Sequence, residues 1–174
     1  TLIGEKNNLI YMDKIKQGNI LSNNYEAKIG YSENIFSFIE EKERLYSYNL
    51  KTEEFSLFNS KIHSIKSYDF INNALIVLDD DHLLKAYNLI NKKLFWKIDI
   101  SNILSKKENI VQTFVFNDQL IVFFSEGNIL QLDLYNGNIS FAQKLKIKKI
   151  AFISSFNNIL SFTLNNGKTI FYNQ

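Results

Sequence analysis

The chain has 174 residues, of which 45% are hydrophobic, and a net charge of +2. This length suits one ordinary domain, and the small net charge excludes a strong global field that would draw nucleic acid or an anionic membrane toward the protein. The absence of cysteine excludes disulfides and thiolate metal sites. Apolar runs such as Leu120–Phe124 fall well short of membrane-spanning length. We therefore expect no integral membrane segment and no nucleic-acid partner.

Four segments of the chain share one pattern: an alternating strand, an Asp or Asn, a polar turn of four or five residues and a second strand. They are Leu9–Asn23, Leu45–Phe58, Leu83–Lys97 and Ile129–Ala142. The anchor residues Asp13, Asn49, Asn88 and Asp133 are separated by 36, 39 and 45 positions. Those spacings fit about four short strands per unit, as in a β-propeller blade. The sequence therefore predicts an all-β propeller of four-stranded antiparallel blades, with about four blades present.

In chain order, we place the blades at about 1–28, 31–62, 65–100 and 110–146, followed by an incomplete blade at 148–174. No linker or low-complexity stretch interrupts the chain, so the sequence predicts a single array over residues 1–174. The insertion Ser101–Asn109 lengthens the third spacing. It is expected to form an ordered loop or one helical turn capped by Ser101.

The anchor positions resemble the repeat of the PQQ-like (BamB-like) β-propeller family. The fourth unit matches the family pattern at Gly127, Asp133, Gly137 and Phe141, and the third matches it at Ala86, Asn88 and Trp96. The first unit keeps Asp13 and Gly18, and the second keeps Asn49. The resemblance implies a propeller without a cofactor, because much of the family is non-enzymatic. Its quinone-dependent enzymes are much longer and typically carry cysteines.

The matching residues have structural roles that physical chemistry can account for. An Asp or Asn at a strand end accepts hydrogen bonds from turn amides, and a following glycine takes the left-handed backbone conformation. An aromatic residue in the last strand packs between blades. We therefore interpret seven residues as structural repeat positions: Asp13, Gly18, Asn49, Asn88, Trp96, Asp133 and Gly137.

Three other features offer functional alternatives. The cluster Asp79–His82 has the side chains of a divalent cation site, but it occupies the position of a hairpin turn in the repeat. His63 lies between the second and third units, outside any recognisable catalytic motif. The basic stretch Lys144–Lys149 fits an anionic partner, or a solvated strand face with Leu145 and Ile147 turned inward. No catalytic, cofactor-binding or metal-binding residue is predicted.

These observations favour a non-catalytic protein-protein interaction scaffold. The resemblance implies a role in bacterial outer-membrane protein assembly and a location in the periplasm or cell envelope. The array is expected to be part of a larger propeller that needs further blades or another chain to close its ring, and a compact four-bladed ring is the alternative. The alternative is a ligand-binding or enzymatic propeller domain with its site on the axial funnel.

Overall fold

In the computed structural model, the described part of the chain folds as β-strands, turns and loops. The structure describes residues 2–6, 9–13, 28–40, 44–57, 62, 64–105, 107–156 and 159–173. These residues contain seventeen strands and no helix, and hence no helix that is long and apolar enough to cross a membrane. The prediction of an all-β fold is confirmed.

The strands form five antiparallel sheets. The first contains β1 (Leu2–Lys6) and β2 (Leu9–Asp13). The second contains β3 (Ile29–Ser32), β4 (Ile35–Glu40), β5 (Arg44–Asn49) and β6 (Glu54–Leu57). The third contains β7 (Ile65–Ile71), β8 (Ala74–Asp79), β9 (Leu83–Asn88) and β10 (Leu94–Asp99). The fourth contains β11 (Ile110–Phe116), β12 (Gln119–Phe124), β13 (Asn128–Asp133) and β14 (Ile139–Lys144). The fifth contains β15 (Ile150–Phe156), β16 (Ile159–Leu164) and β17 (Thr169–Asn173).

Within each sheet, every strand pairs with the next strand of the sequence. Contacts between sheets join the first strands, from β3 to β7, from β7 to β11 and from β11 to β15. Meandering sheets that meet through their first strands place those strands around a common axis, which is the arrangement of propeller blades. We refer to the five sheets from here on as the first to fifth blades.

Burial follows the radial position of each strand. All six residues of β8, the second strand of the third blade, are buried, whereas all six of β14, the last strand of the fourth blade, are exposed. A blade covered on both faces needs apolar residues at consecutive positions, and an outer strand meets water. The apolar run Ala74–Leu78 accordingly forms an interior strand.

Among the described residues, the core consists of three clusters that lie between successive blades. The largest joins the third and fourth blades and includes Leu84, Trp96, Leu120 and Leu132. A second includes Leu45, Leu75 and Leu89 from the second and third blades, and a third includes Phe123, Ile153 and Phe162 from the fourth and fifth. Because each cluster draws on two sheets, the second to fifth blades bury apolar surface against one another.

The repeat is visible in backbone irregularities as well as in side chains. In β7, β11 and β15 the register shifts just after the first residue, at Ile65, Ile110 and Ile150. The carbonyl before each of these residues accepts an N–H from the residue that follows the second strand, at 3.1, 3.0 and 2.9 Å. The same bulge and the same closing hydrogen bond thus recur in three blades.

The insertion between the third and fourth blades forms an ordered loop with one hydrogen-bonded turn. Leu104 N–H donates to the Ile100 carbonyl at 3.0 Å. The side chain at the start of this turn that accepts a backbone hydrogen bond is Asp99, whose Oδ1 accepts from Ser101 N–H at 2.8 Å. The capping residue is therefore two positions before Ser101, the residue that the sequence predicted. Glu108 is fully buried and accepts from Asn128 Nδ2 at 2.6 Å, which fastens the loop to the fourth blade.

Candidate interaction surface

One end of the blades carries two kinds of turn, those joining the first and second strands and those joining the third and fourth. Backbone hydrogen bonds link the two kinds at 2.8 Å from Leu50 to Asn34, 2.8 Å from Leu89 to Asn73, and 2.9 Å from Leu134 to Asp118. We define the turn face as the turns between third and fourth strands, residues 50–53, 89–93 and 134–138. These turns include the exposed apolar side chains Leu50, Ile90 and Tyr135.

An Asn or Asp side chain opens each turn of the turn face. Its Oδ1 accepts hydrogen bonds from the second and third following amides, at 2.9 and 3.4 Å at Asn49. The corresponding distances are 2.8 and 2.9 Å at Asn88, and 2.9 and 2.9 Å at Asp133. This is the geometry in which a short polar side chain replaces a backbone turn.

The fourth residue after each of these side chains has a left-handed backbone. Its φ is 57° at Glu53, 60° at Lys92 and 75° at Gly137. An ordinary L-residue adopts this conformation at a cost of about 1–2 kcal/mol, so the second and third blades carry a strain that glycine removes in the fourth. These contacts support the proposal that Asn49, Asn88, Asp133 and Gly137 are structural repeat positions.

Trp96 joins the third blade to the turn of the fourth. The indole Nε1–H donates to the Leu134 carbonyl at 2.7 Å, and the side chain is buried. A Cβ at Gly137 would lie 2.7 Å from Cδ2 of Trp96, so the ring sits where any larger residue would have its side chain. This packing supports a structural role for Trp96 as well.

The remaining repeat positions are less informative. Asp13 is the last residue of β2, and Gly18 lies outside the described residues. Phe141, which matches the aromatic position of the pattern, is 46% exposed. The fourth blade therefore buries its aromatic residue less completely than the third buries Trp96.

Apolar side chains project from the locked turns of the turn face. Ile90 is 44% exposed and Tyr135 is 59% exposed. Each is the second residue after its anchoring Asn or Asp, so its amide is fixed while its side chain is free to make contacts. Tyr135 also packs edge-on against Phe95, at 6.3 Å between ring centroids. A rigid turn with an exposed apolar side chain suits protein recognition.

The acidic cluster Asp79–His82 forms a hairpin turn between β8 and β9. Asp79 is buried; its Oδ1 accepts from Leu83 N–H at 2.8 Å and its Oδ2 lies 2.6 Å from Lys85 Nζ. His82 has a φ of 63°, in the place that Gly127 holds in the fourth blade. In the part of the chain that the structure describes, no three acidic, His or Cys side chains are arranged to hold a metal ion. His63 lies outside that part.

A polar network joins the inner strands β7 and β11 near the axis. Buried Asp69 accepts from the amide and the hydroxyl of Thr113 at 2.8 and 3.0 Å, and its Oδ1 lies 3.2 Å from Lys28 Nζ. Burial raises the pKa of the neighbouring Tyr68 above its ordinary value; a backbone hydrogen bond from Lys28 opposes this and the charge of Asp69 adds to it. The sequence offered one signal for this network, an acid within the otherwise apolar end of β7.

A polar recess of about 310 Å³ opens at the opposite end from the turn face. Lys28, Lys107 and Lys149 line it, together with Glu126. In the basic stretch beside it, Lys146 and Lys148 are exposed and Ile147 is buried, so the alternation that the sequence indicates is present. The recess brings together cations from three blade connections.

Comparison with solved structures gives the class of fold. BamB from Moraxella catarrhalis matches with a TM-score of 0.58 and 13% identity, over 84% of this chain and 42% of that chain. The Pan2 WD40 domain of Neurospora crassa matches with a TM-score of 0.58 and 13% identity, over 84% and 46%. The computationally designed Ika4 protein matches with a TM-score of 0.61 and 11% identity, over 91% and 99%.

These similarities show a β-propeller fold. No protein-family profile matches the chain, and no curated protein sequence matches it. The chain spans less than half the length of the BamB and Pan2 chains. The prediction of a propeller built from four-stranded blades is confirmed.

Proposed function

We propose that this chain is a non-catalytic protein-protein interaction scaffold of the PQQ-like repeat type. The observation that carries the proposal is the turn face, where Asn88 and Asp133 fix the backbone and Ile90 and Tyr135 stand exposed. A surface that is ordered before binding loses little conformational entropy when a partner docks. The similarity to BamB and to WD40 propellers supports the same kind of role.

We further propose that the partner belongs to the bacterial outer-membrane assembly system and that the protein works in the periplasm or cell envelope. Two observations support this: the repeat pattern at Asp133, Gly137 and Trp96, and the structural similarity to a BamB protein. We also propose that further blades or another chain complete the ring; coverage of 42% of that BamB supports this.

A photo-cross-linking experiment tests the scaffold. A benzophenone amino acid at Tyr135, on the turn face, is expected to capture a defined protein in cells, and the same group at exposed Asp80, at the opposite end, is the matched control. Capture of an outer-membrane assembly component only from the Tyr135 site supports the finer proposal. Equal, nonspecific capture from both sites contradicts the scaffold.

The recess lined by Lys28, Lys107 and Lys149 favours a second candidate, a ligand-binding propeller with an axial site. Three cations around about 310 Å³ attract a small anion. Thermal unfolding with and without citrate tests it. A rise in the midpoint that is lost in Lys107→Gln/Lys149→Gln supports this candidate, and an unchanged midpoint removes it.

A further inference from the structure

The junction between the second and third blades lacks the aromatic residue that fills the next junction. In the third blade Trp96 pairs across the strands with Ala86, two residues before Asn88. In the second blade the equivalent pair is Ser56 with Ser47, two residues before Asn49. Ser56 therefore occupies the position of Trp96, and an indole is replaced by a hydroxymethyl group.

The turn residue that faces this position is larger at the junction of the second and third blades than at the next junction. Gly137 faces Trp96, and its equivalent Lys92 faces Ser56, each being the fourth residue after the Asp or Asn of its turn. Lys92 Nζ donates to Ser56 Oγ, which in turn lies 2.8 Å from Ser47 Oγ. At the junction of the third and fourth blades, a large strand residue (Trp96) faces a small turn residue (Gly137). At the junction of the second and third blades, a small strand residue (Ser56) faces a large turn residue (Lys92).

The exchange leaves a cleft of about 450 Å³ between the blades. Ile35, Phe55 and Leu89 contribute apolar walls, and Ser47, Ser56 and Lys92 contribute polar groups. This volume lies in the range of small-ligand sites, roughly 300–1,000 Å³. The cleft offers both an apolar surface and hydrogen-bond donors.

The ammonium group of Lys92 is poorly compensated in this setting. Burial lowers the pKa of Lys92 below its ordinary value, because the charged form has lost part of its water. Among the residues that the structure describes, Lys92 forms no ion pair. A partly desolvated cation that is bonded to a neutral hydroxyl gains stability when an anion arrives.

We propose that this cleft binds a carboxylate carried on an apolar group. The carboxylate bonds to Lys92 Nζ and the serine hydroxyls, and the apolar part packs on Phe55 and Leu89. Free small acids and the acidic side chains of a protein partner share this chemistry. Ile90, one of the exposed side chains of the turn face, also lines this cleft, whereas Tyr135 does not. The proposed scaffold contact at Tyr135 is therefore independent of the cleft, and either proposal can hold without the other.

Titration followed by amide NMR of the whole chain tests the site with 3-phenylpropionate as the probe. We expect saturable shifts at Ser47, Ser56 and Lys92, and at least tenfold weaker binding of the neutral analogue 3-phenylpropanamide. Inorganic phosphate reports binding of any small anion. Equal binding of acid and amide, equal effects of phosphate, or shifts confined to other residues would overturn the proposal.

Matched variants separate the charge from the cavity. Lys92→Gln should weaken binding of the acid at least tenfold, whereas Lys93→Gln, which removes the same charge from an exposed neighbour, should leave it unchanged. Glu54 also lines the cleft, and its negative charge repels the carboxylate of the acid, so Glu54→Gln should tighten binding. Unchanged affinity in Lys92→Gln overturns the site even if every other variant behaves as expected.

Filling the cleft is an independent test. Ser56→Trp with Lys92→Gly rebuilds the pair seen at Trp96 and Gly137, so the protein should remain folded while the acid no longer binds. Peptides of sequence acetyl-Ala-Phe-Glu-Ala-amide and its Gln counterpart then distinguish the source. Glu-dependent binding at least tenfold tighter than the free acid assigns a protein ligand, and preference for the free acid assigns a small molecule. Failure of both probes overturns the inference.

Discussion

At the scale of the residue, Asp133 shows how one side chain fixes a turn. Its Oδ1 accepts two backbone amides at 2.9 and 2.9 Å. Because an intramolecular hydrogen bond contributes about 0.5–1.5 kcal/mol, we expect Asp133→Ala to lower the free energy of unfolding by about 1–3 kcal/mol. Urea denaturation measures the loss. Asp133→Asn keeps the acceptor that Asn88 uses, and an equal loss in that variant would contradict the explanation.

Tyr68 predicts how stability responds to alkaline pH. Burial, the largest cause, raises its pKa from the ordinary value of 10.0 in the folded state. Because the folded state holds the phenol proton more tightly than the unfolded state, Tyr68 contributes its full stabilisation below about pH 10, the pKa of the unfolded state. This contribution is lost as the pH rises through the pKa of the folded state. We expect the free energy of unfolding to fall less steeply above pH 10 in Tyr68→Phe than in the wild type.

Urea unfolding at pH 8 and pH 11 measures this difference. The slope should flatten without disappearing, because burial also raises the pKa of Tyr87, which remains in the variant. Identical slopes for the wild type and Tyr68→Phe would show that the phenol does not couple to folding.

The sequence predicts the roles of residues that act within their own turn, but not the roles of residues whose partners lie in distant parts of the chain. Asn88 and Asp133 stand out because a short polar side chain at a strand end has one local use. Asp69 and Glu108 are buried through partners 44 and 20 positions away, Thr113 and Asn128, which no local pattern identifies. The cleft at Ser56 was equally hidden, because a missing tryptophan leaves no motif.

At the scale of the element, two glycines in left-handed turns provide a matched comparison. Gly137 has a φ of 75° and its Cβ position lies 2.7 Å from the Trp96 ring, whereas Gly167 has a φ of 82° and open space around it. Both alanine variants pay the backbone cost of about 1–2 kcal/mol. Gly137→Ala should lose more stability than Gly167→Ala, because it also displaces the indole.

Thermal or urea unfolding of the two variants isolates that contact. The excess loss in Gly137→Ala reports the packing between the third and fourth blades. A loss no larger than in Gly167→Ala would mean that the Trp96 ring moves aside at no cost, and that this junction is less rigid than its geometry indicates.

Strand assignment succeeded because blades impose regular burial. Alternation in β9 and the unbroken apolar run in β8 gave the correct strands, since a sheet covered on both faces has a recognisable sequence. The turn at Ile100–Leu104 was harder, because Asp99 and Ser101 are both good caps and only the geometry decides between them.

At the scale of the whole molecule, the fifth blade presents an open apolar surface. Among the residues that the structure describes, Phe152 is 54% exposed, Phe171 is 71% exposed and β17 is an edge strand of its sheet. Exposed aromatics beside an unpaired strand favour association with another sheet. We expect the chain to self-associate as its concentration rises, and Phe171→Lys to weaken this several-fold. Sedimentation velocity gives the mass, and a monomeric wild type at all concentrations would contradict the expectation.

Fixing each turn through the backbone has an evolutionary consequence. The three anchors bond to backbone amides only, so the turns do not depend on which side chains stand at Lys51, Ile90 and Tyr135. Mutations there leave the hydrogen bonds of the turns in place, although a change at Tyr135 also removes its contact with Phe95. Successive copies of one ancestral unit can thereby diverge into a mosaic of chemistries while the scaffold beneath them is inherited intact.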